Sequence, residues 1–258
     1  MADSNKQTKI VSATAFTSHG RTRVEKQVCR ELALDLHLNG ERLTTILSSP
    51  NDIEDLVFGL LYSEGLIKKA KDITSINIDN EKAVVSVETA ITLEVTPYLR
   101  PLIATGGSKS GIAPKRILKN IDTNFTVSSS QITSLMSSFM NTSKVYSGTR
   151  GIHSAAVATP EDIIASRDDI GRHNALDKVL GSCLRRGIEP QNHLIIISGR
   201  ISSEILLKVA AHGYPVLLTK AVPTDIGISL AKDLGITLVR RSYDNVITVY
   251  SHDWRITD

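Results

Sequence analysis

The stretch Leu194-Ile-Ile-Ile-Ser198 does most to limit what this chain can fold into. It is a continuous apolar run, as a strand covered on both faces requires. The pattern extends around it. Residues 202–212 have helical spacing, 215–219 read as a strand, 224–234 as a helix, and 236–240 and 246–250 as closing strands. Upstream, 151–159 and 162–166 read as short strands. A helix follows over 174–186, with Leu176, Val179, Leu180 and Cys183 on one face. Strand–helix alternation at this length predicts an α/β class, with a three-layer domain over 144–258.

The preceding part has a different texture. It predicts a smaller α+β domain over 23–143, after a polar, disordered tail over 1–22. Leu32, Leu34, Leu36 and Leu38 alternate with Ala33, Asp35 and His37, the mark of a half-buried strand. Asn39-Gly40 is a hairpin signal, and 42–47 returns as the second strand. Ser49-Pro50-Asn51-Asp52 then opens a helix, with Ser49 suited to the N-cap and Pro50 to the first helical position. Leu56, Val57, Leu60 and Leu61 give that helix its apolar face, and Gly65 ends it. Strands are predicted at 73–78, 83–87 and 125–128. A helix is predicted over 130–140, with Ile132, Leu135, Met136 and Phe139 inward. A flexible loop at 105–116 contains Gly106-Gly107-Ser108-Lys109-Ser110-Gly111, which lacks the spacing of a P-loop.

Composition narrows the function classes. With 258 residues, 41% of them hydrophobic, the chain has material for one large or two modest domains. A net charge of +3, without a basic block or basic–aromatic interleaving, accommodates an anionic ligand but gives no reason to expect nucleic acid. The two cysteines, Cys29 and Cys183, form neither a metal-ligand spacing nor a disulfide framework, which points to a reducing compartment. No signal-peptide core and no membrane-spanning run is present, so a cytoplasmic protein is expected. Zinc is not expected either: the His-x-Glu and Pro-Cys-x-x-Cys pair of zinc deaminases is missing.

Five polar loops in the second half suggest a site. They are Gly148–His153, Asp168–His173, Ser198-Gly199-Arg200, Lys220–Thr224 and the segment Arg240–Asn245. Ligands of open α/β sheets sit beyond the carboxyl ends of the strands, and a helix N-terminus beside an arginine suits phosphate. Each loop also has a purely structural reading. Arg200, Glu204 and Lys208 are spaced to form a salt-bridged helix face, His173 and Asp177 share that spacing, and His153 could be a core histidine. Cys183 lies on an apolar helix face, where a thiol is inert.

The chain resembles the formate dehydrogenase accessory protein family, FdhD, from about residue 24 onward. The resemblance is carried by Asn39-Gly40, Ser49-Pro50-Asn51-Asp52, Phe58-Gly59, Ser63-Glu64-Gly65 and His153. It continues through Asp169-Ile-Gly-Arg-His-Asn-Ala-Leu-Asp-Lys178, Ser198-Gly199-Arg200 with Glu204 and Lys208, Thr237-Leu238 and Val249-Tyr250. It implies a cytidine-deaminase-like fold without zinc in the 144–258 domain. It also implies a homodimer that takes sulfur from a cysteine desulfurase on a Cys-x-x-Cys loop. The sulfur is passed to a molybdenum bis-molybdopterin guanine dinucleotide cofactor destined for formate dehydrogenase. Here Ser110 and Ala113 stand where the family's two cysteines belong, and neither side chain can carry a persulfide.

The implied cofactor site comprises His153, Asp169, Arg172, His173, Ser198 and Arg200, with the late segment Arg241, Ser242, Tyr243, Asp244, Asn245 and Val246. Arg172 and Arg200 are assigned to phosphate. Asp169 is assigned to orienting His173 or to accepting from a guanine or ribose donor, and His153 to contacting the ligand or lining its pocket. Two readings follow: a maturation factor that binds this cofactor or a GDP-like ligand, or a non-catalytic scaffold that has lost sulfur transfer. A nucleotide-processing hydrolase of deaminase-like fold is a third, weakened by the missing metal ligands.

Overall fold

The computed structural model describes residues 7–90, 118, 120–242 and 244–258. The chain opens with a hairpin of β1 (Thr8–Thr17) and β2 (Gly20–Cys29), paired antiparallel from Thr8 with Cys29 to Thr17 with Gly20. Over 8–22 this corrects the expected disordered tail; residues 1–6 of that tail lie outside the described residues. The hairpin exposes most residues of both strands, so no buried face imposes the alternation that identifies strands in sequence.

β3 (Leu32–Leu38) and β4 (Glu41–Ser48) follow, joined at Asn39-Gly40 with φ of 51° and 83°, the left-handed pair a tight hairpin turn needs. Next come α1 (Ile53–Ser63), β5 (Ile73–Asp79) and β6 (Val84–Thr89), and the strands assemble in the order β4-β3-β6-β5. Leu34, Leu36, Leu38, Val85 and Val87 join Leu56, Val57 and Leu61 of α1 in one core.

The start of α1 differs from the sequence expectation. It begins three residues beyond Pro50, after Asp52 in the left-handed region, and has no side-chain cap. Ser49 is drawn into a tertiary role instead. Its N–H donates to Asp169 Oδ2 at 2.9 Å, and its hydroxyl accepts from Ile170 N at 3.1 Å.

After β7 (Val127–Ser128) come α2 (Ser129–Met140) and α3 (Lys144–Thr149). The order continues with β8 (His153–Ala158), β9 (Ile163–Asp169), α4 (Arg172–Arg186), β10 (Leu194–Ile197) and α5 (Ser203–His212). It ends with β11 (Val216–Thr219), α6 (Asp225–Asp233), β12 (Thr237–Arg241), β13 (Ile247–Ser251) and β14 (Ile256–Thr257). Six of these strands form a mixed sheet in the order β13-β12-β11-β10-β8-β9, parallel through β10, β11 and β12 and antiparallel elsewhere.

Alternate side chains of this sheet enter different cores. Ala155, Val157, Ile195, Ile197, Leu217 and Leu238 pack with α4, α5 and α6. Ala156, Ala158, Leu194, Ile196, Val216, Leu218 and Val239 pack with Ile132, Leu135, Met136 and Phe139 of α2. Both faces are therefore covered by helices, as the unbroken apolar run of β10 demands.

α1 crosses α4 at two glycines. A β-carbon on Gly59 would lie 1.9 Å from the carbonyl oxygen of Asp177, and one on Gly181 would lie 1.9 Å from that of Asp55. Only glycine permits so close an approach. Asp55 reinforces the crossing by accepting from Arg167 at 2.8 Å and Arg185 at 2.6 Å.

Candidate functional site

Strand register assembles the site. Ile197 of β10 is level with Thr219 of β11, and Thr219 with Arg240 of β12, so Ser198, Lys220 and Arg241 are one step further along three neighbouring parallel strands. Adjacent strands are about 4.8 Å apart, so these residues form a row at the carboxyl edge. The row continues across β8. Ser198 N donates to Ser154 O at 3.0 Å, and Ser154 N donates to Ser198 Oγ at 3.0 Å. His153 is level with Asp169 of β9.

α4 starts at this edge. Its first residue is Arg172, with Gly171 at the N-cap and no side-chain cap, so its first amides need other acceptors. Gly199 makes room for Arg172: a β-carbon there would lie 3.2 Å from Arg172 Cβ and Cδ and 3.7 Å from His153 Nδ1. Thus Arg172, His153 and the loop bearing Ser198 and Arg200 are brought together, with Arg200 exposed beside them. Burial, reinforced by the Arg172 charge, holds the His153 imidazole below its ordinary pKa.

Asp169 plays a different part from the one assigned to it above. It is fully buried, and its oxygens take four donors. Oδ2 accepts from Ser49 N at 2.9 Å and pairs with Lys178 Nζ at 2.6 Å; Oδ1 accepts from Gly171 N at 2.8 Å and Asn174 Nδ2 at 3.0 Å. Lys178 Nζ also donates to Ser49 O at 3.2 Å. So saturated a carboxylate has no lone pair left for His173 or for a ligand. It fixes the turn before α4 against the loop before α1.

His173 turns to α5 instead. Its Nε2 lies 3.2 Å from Glu204 Oε2, within ion-pair distance but outside hydrogen-bond geometry. Burial, with Lys208 and Arg172 nearby, lowers its pKa from 6.5 to about 3, although a carboxylate at this distance favours the charged ring. Lys208 belongs to the next layer, pairing with Asp177 at 2.8 Å and Glu64 at 3.7 Å. Burial alone would lower the pKa of Lys208; the two carboxylates outweigh it and leave the pKa raised. Glu204 and Lys208 thus reach across to α4 and α1.

The 241–246 segment is the turn between β12 and β13. Arg241 Nη2 donates to Asn245 Oδ1 at 2.6 Å, Ser242 N donates to Val246 O at 3.0 Å, and Ser242 Oγ donates to Asp244. That hydroxyl holds the Asp244 carboxyl below its usual range. Asn245 adopts a φ of 65° and Val246 is 53% exposed. Tyr243 lies outside the described residues, as do Ser110, Ala113 and the 105–116 loop.

Arg150, Lys220 and Tyr146 were not among the expected ligand residues. Arg150 ends α3 in the left-handed region, and its guanidinium lies 5.4 Å from the Tyr146 ring centroid; Lys220 Nζ is 5.2 Å from the same ring. Phe139, Ser143, Tyr146, Ser154, Ser198 and Lys220 line a narrow cleft here. Position in the fourth loop pointed to Lys220, but only the register sets it beside Ser198. Among the described residues no group of three or more His, Cys, Asp or Glu side chains is placed to hold a metal ion, and no helix is long and apolar enough to cross a membrane.

An edge that gathers Arg172, Arg200, Lys220 and Arg241 is chemistry for binding an anion. The sequence as a whole says which family built it. Residues 29–257 match the FdhD/NarQ family. The chain belongs to that family. It is 38% identical over 238 residues to the sulfur carrier protein FdhD of Geobacillus kaustophilus, covering 90% of each chain. It is 36% identical over 256 residues to the FdhD of Halalkalibacterium halodurans, covering 96% of this chain and 94% of the other. Its fold is similar to the crystal structure of a Desulfotalea psychrophila protein assigned as a formate dehydrogenase accessory protein. That match has a TM-score of 0.79 and 25% identity, and covers 97% of this chain and 99% of the other.

Proposed function

We propose that this FdhD/NarQ family member serves formate dehydrogenase maturation in the cytoplasm by binding the molybdenum bis-molybdopterin guanine dinucleotide cofactor, or a GDP-like ligand. The site is the carboxyl edge of the six-stranded sheet. One observation carries the reading: the Nε atoms of Arg172, Arg240 and Arg241 are buried and have no hydrogen-bond partner. Buried donors without acceptors are costly, and phosphate oxygens satisfy guanidinium groups in charge-assisted bonds. The donor set therefore fits a pyrophosphate. Arg172 and the α4 N-terminus would hold one phosphate, and Lys220 with Arg241 the next. When bound, the cofactor supplies the molybdenum centre; this chain's residues bind and orient its nucleotide end. The deaminase-like arrangement of the 144–258 part belongs to the same proposal, supported by the six-stranded sheet with α4, α5 and α6 on one face; its other face is covered by α2, which precedes residue 144.

Calorimetric titration with GDP tests the site. The unsubstituted chain should bind, and Arg172→Ala and Arg241→Ala should each weaken binding about tenfold, the value of a lost charge-assisted contact. Unchanged affinity in both variants would overturn the assignment.

The relatives are named sulfur carriers, which supports transfer of sulfur from a cysteine desulfurase by a homodimer. A second reading, a cofactor-binding scaffold without sulfur transfer, is favoured by one feature. Neither of the chain's two cysteines, Cys29 and Cys183, falls at Ser110 or Ala113, the positions the resemblance gives to the family pair. Incubation with a cysteine desulfurase and isotopically labelled cysteine separates the two. Protein-bound sulfur, located by mass spectrometry, supports the carrier; its absence supports the scaffold.

A further inference from the structure

α4 and α5 both begin at the arginine-rich edge. Following the 15 residues of α4 away from it leads, roughly 22 Å on, to the other ends of these helices. There Gly187 closes α4 with φ 66° and Gly213 closes α5 with φ 84°. A cleft of about 410 Å³ opens beside the two caps. That volume lies within the range of small-molecule sites.

Apart from the His212 imidazole, its lining carries no basic side chain. Leu184 and Ile188 give an apolar surface over the buried Leu180, and Tyr62 stands against His212 with ring centroids 4.4 Å apart. Glu189 is the one carboxylate of the lining, and no lysine or arginine contributes to it. The cations nearest in sequence are engaged elsewhere. Arg185 pairs with Glu54 at 2.8 Å and Asp55 at 2.6 Å, and Arg186 donates to Ile164 O at 3.3 Å. The carbonyl ends of two helices carry partial negative charge, and an aromatic ring attracts a cation across its face.

We propose that this cleft binds a small organic cation, an ammonium or guanidinium on a flat apolar stem. The stem lies along Tyr62, Leu184 and Ile188. The charged head meets Glu189 and the helix carbonyl ends. An anion of the same shape gains the stem contact and is repelled at the head. The proposal does not rest on the GDP assignment, because it involves none of the arginines of that edge.

Calorimetric titration of the full chain with phenethylamine, 2-phenylethanol and phenylacetate at low ionic strength tests it. The amine should bind about tenfold more tightly than the alcohol, and the acid most weakly. Glu189→Gln should bring the amine toward the alcohol and leave the alcohol unchanged. Tyr62→Leu should weaken the amine more than the alcohol, and saturating GDP should leave the amine's affinity as it was. Equal affinities for the three compounds, a preference for the acid, no binding of the amine at millimolar concentration, or an amine affinity untouched by Glu189→Gln would each overturn the proposal.

Discussion

Lys178 Nζ lies 2.6 Å from Asp169 Oδ2, and neither side chain is reached by solvent. The pair joins the start of α4 to the loop between β4 and α1, because Asp169 also accepts from Ser49 N and Lys178 also donates to Ser49 O. Taking two charges out of water is costly, and only their pairing makes it tolerable. Lys178→Met should therefore lower the free energy of unfolding by about 3–5 kcal/mol, the cost of stranding a buried charge. Urea denaturation at neutral pH measures it. The double variant Asp169→Leu/Lys178→Met should lose less than the sum of the single changes, since no charge is then left unpaired.

The α1–α4 crossing predicts a reversal of sign. Gly181 lies inside α4, where replacing glycine by alanine ordinarily stabilises a helix by about 1 kcal/mol. Here the new methyl would lie 1.9 Å from the carbonyl oxygen of Asp55, which is backbone and cannot swing aside. Gly181→Ala should instead destabilise by about 1–3 kcal/mol or more, as overpacking does. Gly187→Ala is the contrast. It meets no neighbouring atom but must hold φ at 66°, so its cost is conformational alone. Thermal melts of both variants, with intact secondary structure checked by circular dichroism, decide the point.

Much of the fold was legible because burial leaves a period. The alternating leucines of β3, the continuous run of β10 and the 3.6-residue spacing of α2, α4 and α5 all mark faces that the structure covers. The β1–β2 hairpin was not legible, since nothing covers Ile10 and Phe16, which are 65% and 79% exposed. Ser49-Pro50 did not mark the start of α1, because the Ser49 hydroxyl, the oxygen a cap would use, accepts from Ile170 N instead. The site divides the same way. His153, Arg172 and Ser198 were legible as loop polar groups between strands and helices. Lys178, nine residues after Asp169, gave no sign that it would saturate that carboxylate. Glu204 looked like one charge of a helix face, and only the packing of α5 on α4 shows it facing His173.

His173 makes stability depend on pH in a defined window. Its pKa is about 3 in the folded chain, against 6.5 for an ordinary histidine. Between these values the unfolded chain binds a proton at this position and the folded chain does not. Stability is thus fully present above pH 6.5 and falls as pH is lowered toward 3. Denaturant midpoints taken across this range should decline with acid. His173→Gln, which cannot titrate, should show a shallower decline. Identical slopes for the two proteins would mean that the ring titrates normally.

The two thiols should differ in reactivity. Cys29 is partly exposed, with its Sγ 3.2 Å from Thr149 Oγ1. Cys183 is 1% exposed in the core between α4 and the six-stranded sheet, where burial raises its pKa. Alkylation requires an accessible thiolate, and burial denies Cys183 both access and ionisation. Iodoacetamide at neutral pH should therefore modify Cys29 first and leave Cys183 intact until denaturant is added, as peptide mass spectrometry would record. The same contrast bears on sulfur transfer. Of the chain's two thiols, Cys29 is the one that is not buried and that a folded partner could reach. Cys29→Ser should then abolish any protein-bound sulfur acquired from a cysteine desulfurase, and Cys183→Ser should leave it unchanged.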